Sequence, residues 1–423
     1  MSTETLRIVH KVRYNEQTFL GLPPPSETLK AASVRLRTNS IGLTSNNLSY
    51  CAGGTLLHWW HAFPVPASAP SGFTDAEYGV CPGWGYASVL ASTIDAIEPG
   101  RTIYGFVPIS SHTVDLQLQQ SEKMPSHWIE TSPHRSKLMS LYQRFFLLPS
   151  SFTLDAADTV ALMKPVMVTA GSGYLLARYV FAQTEPIHPL GVPFPGMPFK
   201  EWTEQESSLE KACVICVASG TKTARSFIYQ IAALAADLPK FGLVEITNGR
   251  GCEEYVSPPF VHQVIQYKDI SSTSFPKHSK YFVLDFGGRD NAAVKVVAAL
   301  TDHDPSTEII PIAIGSEPKV SGAEDRQMKM QQRNATSRYW WQMNATGIKD
   351  EAMKRMGERE YIEDEENAFQ SMVKEQVNQY DGKVLGVKLR TEQGLGRELG
   401  VEGIWTQLCR GEITGEDGIL VQL

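Results

Sequence analysis

The fold is predicted from one stretch of the chain, Lys211-Ala-Cys-Val-Ile-Cys-Val-Ala-Ser-Gly-Thr-Lys-Thr-Ala-Arg-Ser-Phe-Ile-Tyr-Gln-Ile-Ala-Ala-Leu-Ala-Ala-Asp237. Ala212 to Val217 is a continuous apolar run rich in β-branched residues, which is typical of a strand buried on both faces of a parallel sheet. A small polar turn follows, and from Ala224 onward the apolar residues recur at helical spacing. The stretch therefore predicts a strand, a tight turn and a helix.

The turn between this strand and helix is a candidate site for a phosphate group. A helix N-terminus offers unpaired backbone N–H groups and the positive end of the helix dipole, and Lys222 and Arg225 add positive charge. The turn holds a single glycine, Gly220, and matches neither the Gly-rich dinucleotide pattern nor the P-loop pattern. A βα unit without any ligand is the alternative interpretation.

Four more apolar runs follow, at 242–247, 262–269, 280–288 and 307–315, with an amphipathic helical pattern at 291–300. Strands that alternate with helices predict a doubly wound parallel sheet. The first of these strands ends in Thr247-Asn248-Gly249-Arg250, without an acidic residue at its tip. In dinucleotide folds, this favours the 2′-phosphate of NADP over the free ribose of NAD.

The part of the chain before this region has short strands separated by turn signals, which predicts a β-rich domain. Trp59, Trp60 and Trp84 belong to an aromatic cluster that would shape an apolar pocket. Tyr50 is the candidate with an acidic proton and a long reach, and a half-buried structural tyrosine is the alternative. His134 is a candidate for contact with substrate or cofactor, with a surface role in a linker as the alternative.

Composition limits the classes of function. The chain has 423 residues and a formal net charge of −7, which argues against nucleic acid as a main partner. No apolar run is long enough to span a bilayer, and no signal peptide is evident, so we expect a cytoplasmic protein without a membrane contact. Cys213 and Cys216 lie in one predicted strand and would point to opposite faces, which is unsuitable for a metal site or a redox pair.

The order of these pieces resembles the medium-chain dehydrogenase/reductase superfamily, and within it a divergent, largely uncharacterised branch found in fungi and bacteria. The resemblance covers roughly residues 30 to 318. The stretches that carry it are Asn39–Tyr50, Cys81–Tyr86, Gly100–Phe106, Ser132–Arg135, Ser219–Ala224, Val264–Asp269 and Val283–Gly288.

The resemblance implies a Rossmann-type sheet combined with a β-rich, GroES-like domain. The expected division is a catalytic domain at 1–150, a nucleotide-binding domain at 151–318, and a helical segment at 319–423 that returns to the catalytic domain. The zinc-containing branches use a structural lobe of four close cysteines, and this sequence lacks such a lobe. The resemblance therefore points to the zinc-free quinone and enoyl reductases, without a metal, and leaves a homodimer open.

The resemblance also implies roles for individual residues. Tyr50 would protonate the substrate or support an enolate, and Asn47 would hydrogen-bond the substrate carbonyl. Tyr267 would approach the 2′-phosphate of the cofactor. The remaining candidates for cofactor binding are Ser219, Gly220, Thr221, Lys222, Thr223, Asn248, Arg250 and Gly287.

Two functions are weighed. The first is an NADPH-dependent reductase of a polarised C=C or C=O bond in a small apolar, polyketide-like substrate. The second is a redox-neutral cyclase, isomerase or dehydratase of secondary metabolism built on a reductase scaffold. The glycine-poor loop favours the second function, whereas the absence of an acid beside Arg250 favours the first.

Overall fold

The amino-terminal part of the chain forms a closed β-barrel. The computed structural model describes residues 3–25, 28–192, 200–235, 241–247, 261–337, 339–396 and 398–423. The strands of this part are β1 (Glu4–His10), β2 (Gln17–Leu22), β3 (Ser33–Leu43), β4 (Tyr78–Gly79), β5 (Pro82–Ser92), β6 (Thr102–Pro108), β7 (Val114–Gln120), β8 (His127–Glu130) and β9 (Arg144–Leu147). The sheet runs in the order β3-β5-β6-β9-β8-β7, and β7 pairs again with β3, which closes the barrel.

Strand β3 shows how the sequence builds this barrel. Val34 and Leu36 are buried in its core. Arg35 and Arg37, which alternate with them, form ion pairs with carboxylates of β7 and β1. Successive side chains of a strand point to opposite faces, so alternation of apolar and basic residues gives one dry face and one polar face. The strand predicted from this alternation is confirmed.

A second sheet is wholly parallel. Its strands are β10 (Ala212–Val217), β11 (Gly242–Thr247), β12 (Val261–Gln266), β13 (Lys280–Phe286), β14 (Glu308–Gly315) and β15 (Trp341–Gln342). The order is β12-β11-β10-β13-β14-β15. The first five strands coincide with the five apolar runs of the sequence. Trp341 of β15 pairs with β14, and its ring packs against Trp202.

Helices cover both faces of this parallel sheet. The helices of the chain are α1 (Ser45–Ala52), α2 (Thr159–Met163), α3 (Ala170–Leu175), α4 (Glu204–Ser207), α5 (Lys222–Ala235), α6 (Ala292–His303), α7 (Ala323–Thr336), α8 (Ala345–Met356), α9 (Glu358–Gln379) and α10 (Val401–Arg410). Cys216 packs with α3 and α5, and Cys213 packs with α6 on the opposite face. The predicted fold class, a doubly wound parallel sheet with a β-rich domain, is confirmed. Across the described ranges, no helix combines the length and apolarity needed to cross a bilayer.

The last part of the chain returns to the barrel. Strand β16 (Lys388–Gln393) runs parallel to β17 (Asp417–Gln422), which pairs antiparallel with β3. Between the two strands, α10 buries Trp405 completely in the barrel core, where its indole N–H donates to the carbonyl of Tyr14. This return brings the C-terminal residues against the carboxyl edge of the parallel sheet.

Candidate functional site

The loop after β10 lies at the point where the order of the parallel strands reverses. Neighbours β11 and β13 flank β10, and ligands of open α/β sheets bind at such a point, outside the carboxyl ends of the strands. Ala218 adopts a left-handed conformation with φ of 64°, and its carbonyl accepts the N–H of Thr221 to form a tight turn. Ser219 is buried, and its hydroxyl has no hydrogen-bond partner in the part of the chain that the structure describes.

The charged groups of Lys222 and Arg225 bind the C-terminal part of the chain. The Lys222 ammonium donates to the carbonyl of Asp417 at 2.8 Å. The Arg225 guanidinium donates to the carbonyl of Leu385 at 2.8 Å and lies 3.8 Å from the carboxylate of Glu416. Burial, together with the nearby charge of Arg225, lowers the pKa of Lys222 to about 8. Both cations therefore hold the returning chain.

The turn before β17 lies directly on this loop. A Cβ atom added to Gly415 would meet the carbonyl oxygen of Gly220 at 1.9 Å, so only glycine allows this close approach. Arg289, after β13, donates to the carbonyl of Gly411 at 3.0 Å. We call the turn at residues 411–417 the C-terminal clasp, because cations from two loops of the parallel sheet bind its backbone.

The remaining loop residues complete the edge. The Thr221 hydroxyl accepts the N–H of Ala224 at 3.3 Å, and Thr223 lies against Gly173 of α3. Gly287 has φ of 106° and lies close to the carbonyl of Ser316. These contacts fix the shape of the loop.

Asp285 and Tyr267 lie at the carboxyl edge of the parallel sheet, on the side of Gly287. The Asp285 carboxylate accepts the N–H groups of Gly287 and Gly288 and binds Arg333 of α7 at 2.6 Å. Tyr267 is half-buried, and burial raises its pKa to about 12, so its hydroxyl stays protonated at neutral pH. Asn248 and Arg250 lie outside the described residues.

Tyr50 lies in a fully buried cluster of aromatic rings. Its hydroxyl oxygen accepts the side-chain amide of Asn46 at 2.7 Å and the indole N–H of Trp84 at 2.9 Å. Burial raises the pKa of Tyr50 well above its ordinary value, with a smaller contribution from nearby Tyr142. Trp59 packs against the Tyr50 ring edge-on at 5.0 Å. The phenol is therefore a neutral hydroxyl in a dry environment.

Asn47 is engaged in the start of α1. Its carbonyl oxygen accepts the N–H of Thr44 at 2.8 Å in a capping box, and its amide donates to the carbonyl of Pro82 at 3.3 Å. The bond to Pro82 uses one of the two N–H groups of the amide, so the other remains as a donor for a substrate carbonyl. The predicted contact stays a prediction.

A cavity of about 160 Å³ lies between the barrel and the helices of the parallel sheet. The barrel contributes Trp84, Tyr104 and Phe146, and α9 contributes Phe369 and Met372. Of the four residues predicted to form a pocket, only Trp84 is among those that line this cavity. Trp59 and Trp60 are buried elsewhere in the barrel core, and His134 is exposed on the surface.

Charged residues line the cavity as ion pairs. Lys164 binds Glu366 at 2.7 Å, and Lys349 binds Glu365 at 2.6 Å. Arg144 binds Glu358 at 2.7 Å. These pairs join α9 to the barrel and to α8. Sequence reasoning missed the ion pairs, because the partners of Lys164 and Arg144 lie about two hundred residues away along the chain. It also missed Tyr104, for which the available signal was the aromatic content of Gly100–Phe106.

Helix α5 connects the loop to the cavity. It begins at Lys222, and Ser226, one helical turn later, lines the cavity and donates to the carbonyl of Ala170 at 2.8 Å. One turn rises about 5.4 Å, so a group held at the loop lies close to a molecule in the cavity. The arrangement can hold an extended ligand at the edge of the sheet and a small apolar molecule beside it.

Comparisons with known proteins agree with this architecture. A family model described as a protein of unknown function (DUF2855) matches residues 41–414. No curated protein matches the sequence. The crystal structure of CurA from Vibrio vulnificus in complex with NADPH matches with a TM-score of 0.51 and 13% sequence identity, covering 99% of this chain and 98% of CurA.

Other solved structures match over the full length of both chains. The complex of Etr1p with NADP and crotonyl-CoA has a TM-score of 0.49 and 11% identity, and 100% of each chain is covered. A mutant enoyl thioester reductase from Candida tropicalis has a TM-score of 0.49 and 10% identity, with the same coverage. The likeness to CurA, at 13% identity, is a likeness of fold alone.

Proposed function

The chain belongs to the DUF2855 family of proteins of unknown function, and we propose that it is an NADP(H)-dependent reductase of a polarised double bond in a small apolar molecule. One observation carries the proposal. Helix α5 places the loop at the reversal point of the parallel sheet one turn from Ser226, which lines an apolar cavity. CurA, which shares the fold, was solved in complex with NADPH.

The edge of the sheet has features that suit a dinucleotide. The buried hydroxyl of Ser219 lacks a hydrogen-bond partner among the described residues, and such a hydroxyl is satisfied when a phosphate oxygen binds. Tyr267, with a protonated hydroxyl, is the proposed neighbour of the adenosine 2′-phosphate, together with Asn248 and Arg250. Gly220, Thr221, Lys222, Thr223 and Gly287 complete the proposed cofactor site. When bound, NADPH supplies a hydride.

Tyr50 is our proposed acid. Its hydroxyl is neutral, and the Trp84 ring that holds it also lines the cavity. Asn47 fixes α1, which carries Tyr50, and remains the proposed partner of the substrate carbonyl. Trp59, Trp60 and His134 stay proposed pocket residues, with Trp84 nearest to the cavity.

One observation favours the redox-neutral alternative. Lys222 and Arg225 already bind carbonyl groups of the returning chain, and the Glu416 carboxylate lies beside Arg225. An anion at the loop would meet this carboxylate and compete with two existing hydrogen bonds. A cyclase, isomerase or dehydratase would need no dinucleotide at this edge.

Several further points of the proposal rest on the sequence. We propose a polyketide-derived substrate in secondary metabolism, a zinc-free site, a cytoplasmic location and a homodimer. The division at residues 150 and 318 is proposed likewise, with residues 319–423 as a returning segment.

Turnover of NADPH tests the reductase against its alternative. The purified protein is mixed with NADPH and a set of neutral enones, and the loss of nicotinamide absorbance is followed. The reductase predicts oxidation of NADPH that depends on the enone. Conversion of the enone without any change in NADPH would support the redox-neutral function instead.

A further inference from the structure

We infer that the cavity binds a neutral, ring-sized molecule with one hydrogen-bond acceptor, and that the hydroxyl of Tyr104 is the donor that orients this molecule. The inference deepens the proposed function and rests on it for the reaction that the bound molecule undergoes. Binding itself is independent of any cofactor.

The Tyr104 ring is fixed while its hydroxyl is free. The ring stacks on Trp84 at 5.9 Å, and the Lys164 ammonium lies 5.3 Å above it. Tyr104 is only 4% exposed, yet its hydroxyl makes no hydrogen bond to any residue whose position is described. Burial raises its pKa well above the ordinary value, with further contributions from nearby carboxylates, so it is a proton-bearing donor at neutral pH.

The neighbouring tyrosine on β5 shows the difference. The Tyr86 hydroxyl donates to the carbonyl of Ala161 at 2.7 Å and is satisfied within the protein. A hydroxyl without a protein partner keeps its hydrogen available, so a molecule in the cavity that brings an acceptor, such as a carbonyl oxygen, gains this hydrogen bond.

The charges around the cavity exclude a charged ligand. Lys164 and Lys349 are each within 2.7 Å of a carboxylate, and Arg144 is paired with Glu358. A carboxylate or ammonium on the ligand would find no unpaired counter-charge in this lining and would lose its hydration on entry. The ligand is consequently neutral.

The size of the cavity provides room for one ring. Its volume of about 160 Å³ compares with the cavity of about 150 Å³ that holds a benzene molecule in an engineered protein. Trp84 and Phe146 offer flat apolar walls for such a ring. A cyclic enone with one carbonyl group matches the size, the neutrality and the donor together.

Three probe molecules test the inference by ligand-observed NMR titration without NADPH: 2-cyclohexen-1-one, cyclohexene and cyclohex-1-ene-1-carboxylate. The wild type is expected to bind the enone and cyclohexene and to exclude the carboxylate. In Tyr104→Phe, the enone should bind about two- to tenfold more weakly, while cyclohexene binding is unchanged. The matched control Tyr86→Phe removes a hydroxyl that is already satisfied, so enone binding relative to cyclohexene should stay at the wild-type ratio.

A second variant tests the location. Gly171 lines the cavity, and a side chain placed there would point towards Glu365, so Gly171→Leu should abolish binding of both neutral probes while thermal melting confirms a folded protein. Unchanged enone binding in Tyr104→Phe, or stronger binding of the carboxylate than of the enone, would overturn the inference. If binding depends on Tyr104 but NADPH is never oxidised, the inference stands and the reductase proposal fails.

Discussion

The indole nitrogen of Trp84 donates a hydrogen bond of 2.9 Å to the hydroxyl oxygen of Tyr50. The same oxygen accepts the side-chain amide of Asn46 at 2.7 Å. Trp84 therefore makes two kinds of contact: its N–H donates to the proposed acid, and its ring forms a wall of the cavity. A molecule bound against this ring would be separated from the Tyr50 hydroxyl by a single side chain, that of Trp84.

Tyr50→Phe should affect both stability and turnover. The buried indole N–H of Trp84 and the half-buried amide of Asn46 would lose their acceptor, so the free energy of unfolding should fall by about 1–3 kcal/mol. If Tyr50 is the acid, turnover should fall about 10²–10⁴-fold while the dissociation constant of NADPH stays unchanged. Denaturant unfolding, steady-state kinetics and cofactor titration measure the three effects. Tyr86→Phe, which removes a buried tyrosine hydroxyl bonded to the carbonyl of Ala161, is the control, and full turnover in Tyr50→Phe would show that another group supplies the proton.

Ser219→Ala and Ser226→Ala form a matched pair in the same βα unit. The buried Ser219 hydroxyl has no partner among the described residues, so its removal should raise the free energy of unfolding, by up to about 3 kcal/mol. The Ser226 hydroxyl donates to Ala170, so its loss should cost about 1 kcal/mol. NADPH should bind several-fold more weakly to Ser219→Ala. Equal NADPH affinity in this variant would show that the hydroxyl does not contact the cofactor.

Lys222 should give stability a distinct dependence on pH. Its pKa is about 8 in the folded protein and near 10.5 when unfolded, so between these values the unfolded chain binds more protons. The free energy of unfolding should therefore rise with pH across this window, by up to about 3 kcal/mol, as the buried charge is removed. Subtracting the pH profile of Lys222→Met isolates this component. Parallel profiles for the two proteins would contradict a buried ammonium at this position.

The C-terminal clasp should be sensitive to one methyl group. In Gly415→Ala, the new Cβ would meet the carbonyl of Gly220, and the clasp would have to shift at a cost of about 1–3 kcal/mol. Gly72→Ala is the control, since nothing lies within 4 Å of a Cβ there. Thermal unfolding of both variants measures the difference. Equal melting temperatures for Gly415→Ala and Gly72→Ala would contradict the close contact between the clasp and the carbonyl of Gly220.

The sequence predicted the local features and missed the distant ones. The apolar run Ala212–Val217 identified the central strand, and the period-two rule placed Cys213 and Cys216 on opposite faces, as the structure shows. Lys222 was predicted beside the start of a helix with its first periodic residue at Ala224, and the helix begins at Lys222 itself, but the direction of the side chain depends on the carbonyl of Asp417, which lies 195 residues later. No local pattern carries such a contact.

The cavity shows the same limit. Trp84 was predicted as a pocket residue from its aromatic neighbours in the sequence. Tyr104 lines the cavity because β6 pairs with β5 and α9 packs over them, and this arrangement is known only from the tertiary structure. Whether a buried tyrosine is satisfied, like Tyr86, or free, like Tyr104, depends on the tertiary position of a single carbonyl group.

Cofactor binding tests the central claim most directly. The purified full chain is titrated with NADPH and then with NADH, and the enhancement of nicotinamide fluorescence is followed. The account predicts saturable binding of NADPH in the micromolar range and much weaker binding of NADH, because the edge beside Tyr267 is proposed to receive the 2′-phosphate. Absence of binding for both nucleotides would contradict the reductase and make a redox-neutral reaction on this scaffold the better explanation.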